Sequence, residues 1–383
     1  MNRNKILDLV NIKLRKNRPK VPETFNHTLW IEHQSSKPFV QLWFRTRGCR
    51  HNYRGGCTMC DYWISDLVSP EQMVASVEEG LGKLDFEPDM ILLNSSGSVF
   101  DDWEVPPVAR QKILELLSRY RKTTFIFETR AETISSQKIA ECVKILKGRN
   151  IIIEMGFEST DPWVLKYCIN KSLELKNVIS AVQTLKKFNV KSIANILAGA
   201  PFLTFSETIK DVVNSINWAF EHDVNQCVLF PMNIKPWTLM YWLEQYGIYT
   251  LPSLWILVDV ISKLDIRLLP YVHISWYKAR PQSHPLYQES NRSPITCPKC
   301  YDNVIRLLNE YNSSDNRARI LEKLMELSCD CKLQWHEQIE IKPRQSLVER
   351  VQTNYEVIAR QILGEQWWNQ YGEATLAEIE SPG

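Results

Sequence analysis

The chain has 383 residues, enough to bury a large core in one big α/β domain with an appendage, or in two domains. Lys and Arg number 46 against 44 Asp and Glu, and a net charge of +2 argues against a protein held to nucleic-acid backbone by bulk charge, leaving only a local patch. A hydrophobic content of 44% excludes a disordered chain, no apolar run approaches the roughly 18 residues of a membrane span, and there is no apolar h-region; the expectation is a cytoplasmic protein without membrane contact.

Residues 1–30 read as a basic N-terminal arm carrying Arg3, Lys5, Lys13, Arg15, Lys16, Arg18 and Lys20. An amphipathic helix packed on the main domain is one reading of it, and an arm that contacts RNA or a partner is the other. From about residue 38 short β-rich runs alternate with helix-length amphipathic segments. The runs are 39–46, 90–95, 123–129, 151–157, 192–197 and 226–232; the helical patterns are 70–84, 107–121, 135–146, 173–187 and 206–221. Strand and helix repeated in this way predict a parallel sheet with right-handed crossovers. Six units suit a partial (β/α)6 barrel, with a doubly wound sheet as the competing layout. In both, functional groups belong at the C-terminal ends of the strands. The predicted organisation is the arm at 1–30, the α/β domain at 31–270 and a smaller helical module at 271–383. That module opens with a Pro-, Ser-, Asn- and Arg-rich loop at 277–298 and continues in helical patterns at 302–311, 317–327 and 347–371.

Seven of the ten cysteines fall in two clusters, whereas Cys142, Cys168 and Cys227 sit alone in apolar segments as small hydrophobes. In a chain without an export signal, clustered cysteines are more often metal ligands than a disulfide framework. The first cluster is Cys49, Cys57 and Cys60, with gaps of seven and two residues, in an Arg- and Gly-rich loop directly after the first predicted strand. A structural zinc site normally takes four protein ligands. Three thiolates leave one corner open, which suits a [4Fe–4S] cluster with one iron free for a small ligand, a structural zinc knuckle being the competing reading.

Three cysteines in the loop after the first strand of a βα barrel resemble the radical S-adenosylmethionine (SAM) superfamily. The run from Arg45 through Cys49 to Tyr62 is similar to the archaeosine-forming radical SAM subunits, the RaSEA family, and their Elongator-type relatives. Further segments carry the likeness: Ser95–Asp102 with Glu104 after the second run, Phe127–Glu132 where relatives read E-S-R-P-E, and Gly156–Ser159 close to their G-L-E-S. The resemblance extends over roughly residues 38–340. It departs at Ala131, where relatives have Pro, and at 293–296, Ser-Pro-Ile-Thr in place of Gly-Pro-His-Asn; both departures bear on the substrate.

The resemblance implies that Cys49, Cys57 and Cys60 hold the cluster and that SAM is the second cofactor. Met59 would lie against the adenine, Ser96, Gly97 and Ser98 would hold the SAM amino group, and Arg130 its carboxylate. Glu128, Glu158 and Asn195 would face the same cavity, in SAM ribose or substrate binding. The implied reaction is reductive cleavage of SAM to a 5′-deoxyadenosyl radical, with the cofactor carrying the chemistry and the protein supplying position and water exclusion. It calls for an electron donor such as flavodoxin or ferredoxin. The substrate expected is a modified tRNA nucleoside or its amino-acid adduct, with a partner protein to present it. A small metabolite or peptide in a specialised pathway is the alternative, and a non-catalytic metal-stapled binding module the reading from another class.

The second cluster is Cys297, Cys300, Cys329 and Cys331. Four cysteines in two close pairs across a helix hairpin, the first pair opening one helix and the second closing the next, suit one tetrahedral zinc that staples a module with little core of its own; a second iron–sulfur cluster is the competing metal.

Overall fold

The computed structural model describes residues 4–20, 22, 24–32, 38–62 and 67–379; Arg3 of the basic arm and residues 380–383 of the C-terminal module lie outside them. Helix α1 (Lys5–Arg15) precedes a sheet of eight strands in strictly sequential order. Strand β1 (His27–Glu32) pairs antiparallel with β2 (Phe39–Phe44). From β2 onward every pairing is parallel, through β3 (Met90–Asn94), β4 (Thr124–Thr129), β5 (Ile151–Glu158), β6 (Lys191–Ala198), β7 (Gln226–Pro231) and β8 (Val272–Ile274). A strand order that never reverses winds in one direction only. With every crossover right-handed, the helices stay on one face and the sheet curls into a half-barrel, which removes the doubly wound alternative.

The crossovers are α2 (Pro70–Leu81), α3 (Pro107–Leu117), α4 (Ser136–Ile145), then α5 (Pro162–Val164), which runs into a π-helical turn at Leu165–Ile169, and α6 (Leu175–Lys187), α7 (Phe205–Glu221), α8 (Leu239–Gln245) and α9 (Trp255–Ser262). Local chemistry fixes their starts. Ser69 with Gln72, and Thr204 with Glu207, form capping boxes at α2 and α7, satisfying amide groups that would otherwise be orphaned. Strand residues alternate between faces. Val40, Leu42, Phe44, Ile91, Leu93, Phe125, Phe127, Ile153, Met155 and Phe157 are buried under the helices, each contributing about 1.5–3 kcal/mol of burial. Their neighbours point into the lumen, and there the sequence places Trp43, Asn94, Glu128, Glu154 and Asn195.

The C-terminal helices are α10 (Tyr301–Ser313), α11 (Arg317–Glu326), α12 (Asp330–Glu340), α13 (Leu347–Ile358), a π-helical turn at Ala359–Leu363, and α14 (Glu365–Ala377). The second cysteine pair sits differently from its expected place. Cys329 is the N-cap of α12 and Cys331 lies in its first turn, so the pair opens a helix and does not close one. The N-terminal segment is anchored by the C-terminal helices. Ile6, Leu7 and Val10 share an apolar core with Val351, Tyr355 and Ile358, and Asn4 Nδ2 donates to Tyr355 Oη at 2.6 Å. Among the described residues no helix is long and apolar enough to cross a membrane.

Candidate active site

The loop that leaves β2 carries Cys49, Cys57 and Cys60 over the C-terminal edge of the sheet, with a 3-10 turn at Asn52–Arg54 between the first two. Cys49 and Cys57 are buried and Cys60 is half-buried. The loop is stitched at its tip: Thr58 N donates to the Ile169 carbonyl at 2.9 Å, and Met240 N donates to the Thr58 carbonyl at 3.2 Å. Met59 and Cys60 pack against the apolar cluster formed with α1 and α8. Gly55, at φ +112°, lies so close to α1 that a Cβ would sit 2.9 Å from Asp8 Cβ, so both backbone freedom and space require glycine.

Burial pushes the Cys49 thiol up to about 11, with Glu104 adding to the effect and Arg130 opposing it; Cys57 and Cys60 are raised by burial as well. Thiols held protonated in this way ionise when a metal displaces the proton. Among the described residues, only the C-terminal cysteines bring three or more ligand atoms within 4.8 Å of one another. Cys49, Cys57 and Cys60 lie near enough to influence one another's charge. Three sulfur donors without a fourth fit an iron–sulfur cluster that keeps one iron open.

After β3 the chain turns through Ser96, Gly97 and Ser98 against the first cysteine. A Cβ on Gly97 would lie 3.2 Å from Cys49 Cα and against the Glu104 carboxylate. Ser96 is in the left-handed region at φ 56° and accepts a bond from Trp43 Nε1 at 2.5 Å. Glu104, wholly buried, ties three parts together: Arg50 N donates to it at 2.7 Å, Arg130 Nη1 at 2.7 Å, and Ser98 N donates to its other oxygen. Arg130, at the end of β4, also donates to Asp101 and Glu132 and reaches Cys49 Sγ at 3.3 Å. Sequence reasoning noted Glu104 only as part of a resemblance; its buried junction was not legible, because its partners are 54 and 26 residues away.

In the lumen, Glu128 accepts from Tyr62 Oη at 2.8 Å and from Asn94 Nδ2. Burial, then the neighbouring Glu154, push its carboxyl up to about 8. Glu154 is the register partner of Glu128 across β4 and β5, and accepts from Asn195 Nδ2 at 2.7 Å. Glu158 sits at an irregularity in the β5–β6 pairing at φ 67°, which re-aims its side chain, and pairs with Lys171 at 2.8 Å. Glu158 Oε2 and Asn195 Oδ1 are buried without a partner, so the two predicted residues each present an unspent acceptor.

The predicted residues thus divide into two groups: Ser96, Gly97, Ser98 and Arg130 beside Cys49, and Glu128, Glu158 and Asn195 along the lumen. Glu154, Tyr62 and Asn94 join the second group; a carboxylate mid-strand among Ile151–Met155 was the signal that could have found Glu154. Arg45, Arg47, Arg50 and Arg54 do not form one exposed basic rim on the loop, since only Arg50 and Arg54 are exposed. Arg45 is buried and donates to the Pro22 carbonyl, and Arg47 stacks on Trp103 at 4.0 Å. A cavity of ≈ 420 Å³ opens beside the loop, lined by Arg50, Arg54, Arg130 and Lys138 together with the acids Asp102 and Glu132.

The four C-terminal cysteines converge. Cys297 Sγ lies 3.7 Å from Cys300 Sγ and 3.3 Å from Cys329 Sγ, while Cys331 Sγ lies 3.4 Å from Cys300 and 3.6 Å from Cys329. A tetrahedral ion with bonds of about 2.3 Å to sulfur has edges of roughly 3.8 Å, so these residues could hold one metal ion.

No family model matches the chain. Archaeosine synthase subunit beta of Methanosarcina acetivorans is 28% identical over 310 residues, 78% of this chain and 84% of the relative. The protein of the same description from Thermococcus kodakarensis is 25% identical over 321 residues, 80% of this chain and 95% of the relative. Among solved structures, the radical SAM methyltransferase TsrM of Kitasatospora setae matches with a TM-score of 0.44 at 11% identity, over 74% of this chain and 61% of that one. The chain is thus similar in sequence to the two archaeosine synthase subunits over most of its length, and its fold is a half-barrel with a three-thiol loop at the C-terminal edge of the sheet.

Proposed function

We propose that the chain takes a hydrogen atom from a modified tRNA nucleoside, or from an amino-acid group attached to one, working beside a partner protein that presents the RNA. The reading is carried by one observation, a loop of three buried or half-buried cysteines at the C-terminal edge of a half-barrel, the arrangement a radical SAM enzyme would use. The names of the relatives, subunits of an archaeosine synthase, support the substrate class and the partner.

Cys49, Cys57 and Cys60 would hold a [4Fe–4S] cluster in this reading, with Gly97 packed against Cys49. When bound, the cluster, reduced by a donor such as flavodoxin or ferredoxin, and SAM supply a 5′-deoxyadenosyl radical able to take hydrogen from carbon. Ser96, Gly97 and Ser98 offer the close backbone approach an amino group needs, and Met59 offers an apolar face. Arg130, already spread over three carboxylates, has one N–H left for an anion. Glu158 and Asn195 contribute their unspent acceptors to hydroxyl or amino donors, and Glu128 holds a proton in the lumen. The C-terminal cysteines hold zinc as a structural staple; their short sulfur–sulfur distances favour one ion over a second cluster.

The test is tRNA binding across a salt series, with any co-encoded partner present, alongside tRNA-stimulated release of 5′-deoxyadenosine. Phosphate contacts release counterions, so affinity should fall steeply with salt. Lys13 and Lys16 are exposed, and replacing both by Gln should flatten that slope. Absence of tRNA affinity at low salt would transfer the chemistry to a small metabolite in the barrel mouth.

A further inference from the structure

Helix α1 is a splint on the cysteine loop. Arg15 Nη1 donates to the Gly55 carbonyl at 2.6 Å and to Asn52 Oδ1 at 3.3 Å, while Nη2 donates to the carbonyls of Cys57 at 3.0 Å and Cys60 at 2.8 Å. One turn earlier, Asn11 Nδ2 donates to the Gly56 carbonyl at 2.7 Å. From the opposite side Asn170 Nδ2 bonds the same carbonyl at 2.8 Å and Asp8 Oδ1 at 3.0 Å. A planar guanidinium suits this work, because its fixed fork spans carbonyls that a lysine ammonium cannot span together.

The charge of Arg15 is the second observation. All four of its hydrogen bonds go to uncharged acceptors, and its Nε is buried without a partner. Arg15 is half-buried, and a partly desolvated cation without a counter-charge gains when an anion completes the site. The neighbouring cations have carboxylate partners: Lys235 pairs with Asp61 at 2.8 Å, Lys171 with Glu158 at 2.8 Å, Arg18 interacts with Asp61, and Arg130 is shared among Asp101, Glu104 and Glu132. Among the described residues no carboxylate pairs with Arg15, so it brings a positive charge to the backbone of two of the three thiol residues.

We propose that Arg15 is a positioning residue for the iron–sulfur cluster: its fork fixes the carbonyls of Gly55, Cys57 and Cys60 so that the loop is preformed, and its charge makes the cluster easier to reduce. The inference rests on the proposed cluster at Cys49, Cys57 and Cys60, and it separates two contributions of one side chain, since Arg15→Lys keeps the charge without the fork and Arg15→Gln removes both.

The experiment uses the full chain, anaerobically reconstituted, with the reduced cluster followed by electron paramagnetic resonance during a potential titration and iron loss followed with a ferrous chelator. At a fixed potential, Arg15→Gln should lower the ratio of reduced to oxidised cluster about tenfold, which is about 59 mV for one electron. Arg15→Lys should hold that ratio within about twofold of wild type, yet lose iron to the chelator about tenfold faster. A fully loaded Arg15→Gln protein with the wild-type ratio overturns the inference. Should Arg15→Gln not hold a cluster, Arg15→Lys decides: wild-type iron loss there overturns the splint, and faster loss from a folded protein supports it. A wild-type protein with no signal dependent on Cys49, Cys57 and Cys60 overturns the cluster reading itself, independently of either variant.

Discussion

Arg130 Nη1 lies 3.3 Å from Cys49 Sγ and 2.7 Å from Glu104 Oε1, so one nitrogen joins the first cysteine of the loop to a wholly buried carboxylate. Glu104 in turn binds the amides of Arg50 and Ser98. The loop, the Ser-Gly-Ser turn and the end of β4 are thus one hydrogen-bonded unit. Its central charge is positive, and the buried acids around it depend on that charge.

Arg130→Gln should therefore destabilise the fold by about 3–5 kcal/mol, because Asp101 and Glu104 lose their counter-charge while remaining buried. Arg130→Lys restores charge without the fork and should recover less than half of the loss. Urea unfolding of the three proteins, cluster-free and with the C-terminal metal retained, measures this. Equal stability of Arg130→Gln and wild type would mean that the junction is not held by charge.

Glu128 gives a pH signature. Its folded carboxyl is pushed up to about 8 from an ordinary 4.5, burial being the largest cause. The folded state then holds a proton that the unfolded state releases, so stability is fully present below about 4.5 and is lost as pH rises toward 8. Asp211, buried and raised to about 7, adds a slope of the same sign. Glu128→Gln should flatten the fall between pH 5 and 8 without removing it, as read by denaturant midpoints at several pH values. An unchanged slope would place the Glu128 proton elsewhere.

The C-terminal thiols make a separate prediction. Four ligands leave a metal no open position; the module has more core than expected, with Val304, Leu308, Tyr311 and Leu324 buried and Trp335 donating to Asp259 Oδ2 at 2.6 Å, and the metal would tie α10 to α12. Removing the metal, by chelation or by Cys300→Ser with Cys329→Ser, should lower the melting temperature by on the order of 10 °C. Zinc should be found at about one per chain in protein whose three loop cysteines are replaced by Ala; iron there instead would mean a second cluster.

Much of the fold was legible because burial on both faces writes parallel strands as compact apolar runs. All six expected runs are strands, from β2 to β7, within a few residues. Strands β1 and β8 were not legible. His27–Glu32 has a mixed burial pattern on the sheet edge, and Val272–Ile274 is only three residues long. The cysteines and the Gly97 turn were legible as local motifs. Arg15, Glu104 and Tyr62 were not, because each acts through partners brought close only by the fold: Arg15 reads as one more basic residue on an exposed arm until Cys60, 45 positions on, takes its hydrogen bond.

The most direct measurement is 5′-deoxyadenosine released from SAM by the anaerobically reconstituted, chemically reduced chain, compared with the variant in which Cys49, Cys57 and Cys60 are all Ala. The account predicts about four irons and four sulfides at this site in the wild type, with reductant-dependent deoxyadenosine, and neither in the variant while its C-terminal metal is retained. Deoxyadenosine formation that persists in the triple variant would contradict the account.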